Sequence, residues 1–203
     1  MDETKYKGQC NETTRLRSWD YAADAWYFVT LCTHNRAHFF GEIVNDAMQL
    51  SPIGEVAASE WRKTPVLRPY VELDAWVIMP NHMHGIVIIN REGMQVDATQ
   101  ETPSSVGTRS IASLPPTSIT TPTEAQNQFG PLKKDSLQSI IRGYKSAVTT
   151  WCKKNDYKDF AWQARYYDHI IRSEVTLSNI REYIGNNPLK WALDQENAAG
   201  AWM

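Results

Sequence analysis

Runs of branched and aromatic residues alternate along this chain with segments in which apolar residues recur every three or four positions. Ala25–Thr33, AWYFVTLCT, predicts a strand, and His34–Gly41 a loop. Across Asp46–Thr64 the apolar positions are Met48, Ile53, Val56, Ala57 and Trp61. With Ser51 as N-cap and Pro52 as first helical residue, Pro52–Lys63 predicts an amphipathic helix. Pro65–Tyr70 is a connection, followed by strands at Val71–Met79 and His82–Ile89. In Ser136–Lys153, Leu137, Ile140, Ile141, Tyr144, Ala147, Val148 and Trp151 follow the helical period, which turns Arg142, Lys145 and Lys153 toward the remaining surface. Asn155–Phe160 reads as a turn region, and Phe160–Ile171 begins extended and aromatic. Ser173 caps a last helix that carries Leu177, Ile180, Tyr183 and Ile184 and ends near Asn187-Pro188. This order of elements predicts an α+β fold, a ferredoxin-like antiparallel sheet with helices packed on one face.

Two segments break the pattern. Residues 1–24 form a polar arm in which Arg15, Arg17 and Trp19 could touch a phosphate backbone. Between about 91 and 131 the chain turns rich in Ser, Thr and Pro and loses periodicity, which predicts a long flexible insertion rather than a second domain. The expected organisation is one domain over 25–191, interrupted by that insertion and followed by an unpatterned tail at 192–203.

Composition narrows the classes. The three cysteines, Cys10, Cys32 and Cys152, are widely spaced with no CxxC, so neither a disulfide framework nor a cysteine zinc site is expected. No signal peptide or apolar run of membrane-spanning length stands out, and the expected compartment is the reducing cytoplasm. Eight tryptophans and nine tyrosines suit either stacking surfaces or a bulky core. The net charge is −2, yet Leu132–Trp191 carries eleven Lys/Arg against six Asp/Glu, a net of +5 that leaves −7 elsewhere. That asymmetry permits a local phosphate-binding face.

The chemistry concentrates in Ala75–Asn90, AWVIMPNHMHGIVIIN. If the backbone is extended from His82, then His82 and His84 share one face and Met83 packs into the other. Second neighbours on a strand lie roughly 6–7 Å apart, so two imidazoles can converge on one divalent ion and leave coordination positions open. A chance pair serving only as core or surface histidines is the competing reading. The apolar surroundings favour a role, because buried polar groups need partners.

The last helix supplies Tyr183, with Asn187 four residues later on the same face. A phenol is a weak nucleophile unless activated, and its use makes sense where a phosphodiester bond must be stored covalently. On residue type alone Tyr183 is equally a packed aromatic, and Tyr144, Tyr166 and Tyr167 are rivals.

PNHMHGIVII resembles the His-hydrophobic-His motif of single-tyrosine HUH transposases, and NIREYIGNNPLKW resembles their catalytic helix. FVTLCTHNRAHFFGEI, SIIRGYKSAVT and WQARYYDHIIRSE are similar to segments of the REP-associated tyrosine transposases. The resemblance covers Trp26–Ile89 and Leu132–Trp191. It implies a ferredoxin-like fold, His82 and His84 as ligands of Mg²⁺ or Mn²⁺, and Tyr183 as nucleophile. Asn187 matches an additional metal ligand, although Gln is common there and Pro188 disfavours helical geometry for it.

The implied substrate is single-stranded DNA, often near hairpins, which would place the protein at the nucleoid. Cleavage would give a 5′-phosphotyrosine and a free 3′-hydroxyl, and a different 3′-hydroxyl would then reseal the strand without external energy. Arg142, Lys145, Arg165 and Arg172 are candidates for holding phosphates, and Trp162 or Tyr166 for base stacking. Asp168 and His169 are candidate buttresses. Both a monomer and a homodimer with the tyrosine helix acting in trans are compatible with the resemblance. The rival functions are a domesticated nucleic-acid binder that does not cut, a metal-dependent nuclease that activates water, and a structural protein with a chance histidine pair.

Overall fold

Each of the four long runs read as extended contributes one strand to a single sheet. The computed structural model describes residues 16, 18–91 and 133–193. Its elements are β1 (Ala25–Cys32), β2 (Gly41–Val44), β3 (Ala47–Leu50), α1 (Pro52–Arg62), α2 (Thr64–Leu67), β4 (Val71–Ile78), β5 (His82–Ile89), α3 (Leu137–Lys154), β6 (Tyr167–Ile171) and α4 (Glu174–Asn186). Two short 3-10 segments, His34–Arg36 and Pro188–Leu193, complete it. Arg15, Arg17, the Ser/Thr/Pro-rich insertion and residues 194–203 fall outside the described residues. Among the described residues no helix is long and apolar enough to cross a membrane.

The main sheet has the order β4-β5-β1-β6, and every neighbouring pair is antiparallel. A helical connection follows β1 and another follows β5, so the topology is ferredoxin-like. Side-chain alternation then divides the core. Tyr27, Val29 and Leu31 of β1 and Met83, Val87 and Ile89 of β5 meet Ile53, Ala57 and Trp61 of α1 and Ile140, Tyr144 and Val148 of α3. Phe28, Ile86, Ile88 and Ile171 point the other way and meet Leu177 and Ile184 of α4.

Helices α1 and α3 thus share a face as expected, whereas α4 departs from that expectation and lies on the opposite one. The reason is in β5, which is buried at all eight positions and needs cover on both sides. Ser51 and Ser173 cap α1 and α4 as expected, accepting hydrogen bonds from Gly54 N and Thr176 N. The β2–β3 hairpin was not legible as such, because its strands are only four residues long and lie where a loop and a helix approach were expected. Its signal was Asn45-Asp46, at φ 50° and 59°, the left-handed pair that a tight two-residue hairpin turn requires.

Gly85 lets α1 approach the sheet beside His84. A Cβ there would stand 2.7 Å from Trp61 Cζ2 and 3.2 Å from Cε2, and Trp61 is itself fully buried. Gly85→Ala is therefore expected to destabilise the protein by about 1–3 kcal/mol through overpacking. A urea melt reads the effect, and an unchanged midpoint would show that Trp61 yields freely.

Candidate active site

Strand alternation puts His82 and His84 on the face that α4 covers. Their rings meet at a centroid distance of 4.5 Å, and the two Nε2 atoms face each other at 3.0 Å. Both side chains are buried, His82 at 0% exposure and His84 at 2%. Burial lowers the pKa of each: well below its ordinary value for His82, where the charges of His84 and Arg36 add to the effect, and to about 3 for His84. Neutral rings of this kind keep a nitrogen lone pair available.

Their outer nitrogens are held by Asn81 and Thr30, neither of which the sequence identified as a ring partner. Asn81 Nδ2 donates to Arg36 O at 3.1 Å, which turns Oδ1 toward His82 Nδ1 at 2.9 Å. Asn81 is anchored in turn by its backbone oxygen, which accepts from Thr33 N and from Thr33 Oγ1, each at 2.9 Å. His82 therefore carries its proton on Nδ1 and a lone pair on Nε2. Thr30, directly opposite His84 in the β1–β5 register, places Oγ1 2.9 Å from His84 Nδ1. When that hydroxyl accepts the Nδ1 proton, both Nε2 lone pairs point at one spot. Such outer partners set ring orientation at metal sites.

Tyr183 projects from α4 onto this pair. Its hydroxyl lies 3.1 Å from His84 Nε2, and its ring meets His84 at 5.0 Å and Phe28 edge-on at 6.2 Å. The residue as a whole is 44% exposed. The helix is fixed from beneath by Leu177 and Ile184. On its side Arg181 forks onto Asp74 of β4 and holds that carboxyl below its usual pKa.

Asn187 takes helical angles, φ −59° and ψ −44°, despite the proline that follows. It is buried, and its Oδ1 has no hydrogen-bond partner among the described residues. The chain runs from Tyr183, on His84, through Asn187 to Trp191, whose ring lies 6.0 Å from His82 and 5.6 Å from His38. Neutral imidazole nitrogens and an amide oxygen without a hydrogen-bond partner are donor types that suit a divalent ion. Among the described residues no group of three or more His, Cys, Asp and Glu could hold one.

The remaining candidates are not gathered here. Arg142 and Lys145 sit on α3, across the sheet from the histidines, and line a groove of about 460 Å³ with Thr149, Lys153 and Tyr166. Lys145 Nζ is engaged by Gln163 O and Arg165 O at 2.8 and 3.2 Å. Trp162 is packed among Phe40, Phe160 and Tyr144 and donates its indole NH to Lys145 O. Tyr166, also partly buried, packs against that same core on the α3 side of the sheet. Arg165 is exposed near this groove, and Arg172 lies over the Trp19 ring at 5.5 Å. Asp168 is buried on the α1/α3 side, whereas His169 is exposed on the histidine side opposite Phe28. Among the rival tyrosines, Tyr144 is buried against Trp61 and its phenol pKa is pushed up by burial.

No family model matches the sequence. A protein of Haemophilus influenzae recorded as uncharacterized is 34% identical over 194 residues, 95% of this chain and 97% of that one. A solved structure of a REP-associated tyrosine transposase bound to a REP hairpin is 20% identical, with a TM-score of 0.52, over 88% of this chain and 74% of that one. The chain belongs to one family with the Haemophilus influenzae protein, and the fold it adopts is that of the REP-associated tyrosine transposase its sequence resembles.

Proposed function

We propose that this protein cleaves and rejoins single-stranded DNA near hairpins through a tyrosyl–DNA intermediate. The observation that carries the reading is Tyr183 Oη at 3.1 Å from His84 Nε2, itself 3.0 Å from His82 Nε2. The solved relative bound to a REP hairpin supports a hairpin substrate. His82, His84 and Asn187 would hold the ion, and the imidazole donors suit Mn²⁺ better than Mg²⁺, which prefers oxygen ligands. Bound there, it would polarise a phosphate oxygen and stabilise charge on the leaving 3′-oxygen.

The chain's own part is positional and nucleophilic. Tyr183 Oη bonds to phosphorus, the P–O3′ bond breaks, and the phenolic proton leaves to solvent. The released 3′-oxygen takes up a proton, so charge balances and the phosphoester is conserved on Tyr183. Reversal with a second 3′-hydroxyl restores the phenol. Arg142, Lys145, Arg165 and Arg172 are proposed to grip phosphates beyond the site, with the groove on α3 as the main track. The acting unit is either a monomer or a homodimer that exchanges tyrosine helices.

Incubation with labelled hairpin DNAs and Mn²⁺, followed by a denaturing gel, tests the reading. A covalent band sensitive to chelator is expected. Cleavage without that band would point to a water-activating nuclease, and binding without cleavage to a domesticated binder. Thr30→Val removes the hydroxyl at His84 Nδ1 while keeping its shape, and metal affinity is expected to fall about 10–100-fold. Mn²⁺ quenching of tryptophan fluorescence reads this, because Trp191 lies 6.0 Å from His82. Unchanged affinity would show that Thr30 does not orient the ligand.

A further inference from the structure

Among the described residues, one tyrosine besides Tyr183 lies on the histidine face of the sheet. Tyr167 begins β6 and pairs with Thr30, the residue that pairs on its other side with His84. Val77, His84, Thr30 and Tyr167 thus form one row across the four strands. Tyr167 meets Phe28 at 6.3 Å and 69°, and Phe28 stacks on His84 at 5.4 Å and meets Tyr183 at 6.2 Å. One phenyl ring therefore separates Tyr167 from both the nucleophile and the histidine pair. The neighbouring Tyr166 is turned into the opposite core by strand alternation.

Tyr167 is 49% exposed, although a phenol ring on a sheet face beside an apolar cluster could have been buried at little cost. Phe28 meets its ring at an angle, and about half of Tyr167 stays open, with Phe28 alone between it and the Tyr183 ring. A DNA base is a flat π-surface that stacks on such a ring whatever its identity, provided that it is unpaired.

We propose that Tyr167 is the stacking platform for an unpaired base flanking the phosphate that Tyr183 attacks. It admits single-stranded DNA and rejects duplex, whose bases are already stacked. The phenol ring carries the function and its hydroxyl does not. This inference rests on the strand-transfer reading of the site.

The test uses the full chain and fluorescein-labelled hairpin oligonucleotides with a randomised single-stranded flank. The best-bound sequence is then scanned with abasic positions. One abasic position is expected to weaken binding about 10–100-fold, and Tyr167→Ala to weaken the intact strand by as much. The combination should cost no more than either alone, and Tyr167→Phe should restore the abasic penalty. Tyr167→Leu, apolar but without a π-face, should behave as Tyr167→Ala and serves if the alanine variant melts early.

Additive losses, an intact strand bound by Tyr167→Ala and Tyr167→Leu as tightly as by the wild type, or a phenylalanine variant as impaired as alanine would each overturn the proposal. Adduct formation on the same oligonucleotide separates the two ideas. Adduct with additive losses leaves strand transfer standing and removes stacking, whereas non-additive losses without adduct do the reverse. Failure to bind any member of the pool overturns both.

Discussion

Tyr183→Phe is expected to abolish the covalent protein–DNA band while leaving hairpin binding within about threefold of the wild type. The substitution removes one oxygen from a side chain that is 44% exposed, so little packing is lost. Its ring contacts with His84 and Phe28 survive, since both are aromatic rather than polar. What goes is the atom that would bond to phosphorus, and loss of an enzymic nucleophile lowers rates by about 10⁴-fold or more. A denaturing gel with 5′- and 3′-labelled strands makes the measurement. Persistence of the band in Tyr183→Phe would transfer the role to another tyrosine, and Tyr167 is the one within a ring of the site. Tyr144 is unsuited, since it is buried on the other side of the sheet against Trp61.

The second large effect is expected from His82→Ala with His84→Ala. Removing both imidazoles leaves Asn187 as the remaining proposed ligand, and adduct formation should fall about 10³-fold, the scale of several kcal/mol of charge stabilisation. Stability gives an independent readout. Mn²⁺ at a hundredfold its Kd should stabilise the native protein by about 2.7 kcal/mol, a rise in Tm of roughly 5–10 °C, and the double variant should show none. A wild-type Tm indifferent to Mn²⁺ would remove the metal from the proposal.

Acid should act through the same residues. Burial lowers the His84 pKa from 6.5 to about 3 and moves His82 in the same direction. As pH falls from about 6.5 toward 3, the unfolded chain takes up protons that the metal-free folded chain refuses, so stability declines through that window. Above it the two states bind the same number of protons at these sites and the contribution is constant. The acid-side loss should be smaller in the double alanine variant, and melts at pH 7 and pH 5 with chelator present compare them directly.

Local patterning carried much of this protein. The runs at Ala25–Thr33, Val71–Met79 and His82–Ile89 became strands with ends shifted by no more than one residue, because β-branched and aromatic density is a local property. Ser51 and Ser173 were legible as caps for the same reason. The HxH spacing placed two histidines on one face before any partner was known, since alternation depends only on the strand being extended.

What lay beyond the sequence depended on residues far apart in the chain. Thr30 and His84 are 54 positions apart and meet through the β1–β5 register. Tyr183 and His84 are 99 positions apart and meet because α4 takes the face opposite α1 and α3. Nothing in the helix itself states which face it covers; that follows from β5 being apolar on both sides and from α1 and α3 already filling one. The same division packed Trp162 and Tyr166, both partly buried, against the α1/α3 core and left Tyr167 exposed on the other face; for Tyr166 and Tyr167 that is a difference of one residue that composition could not resolve.

The sequence by itself therefore determined which elements form and that a histidine pair and a tyrosine were present in the right order. The tertiary structure decided which tyrosine meets the pair, which groups orient the rings, and which cations are committed to holding the fold. Periodicity and capping act within a few residues, whereas sheet register and helix placement are settled by burying all apolar faces at once.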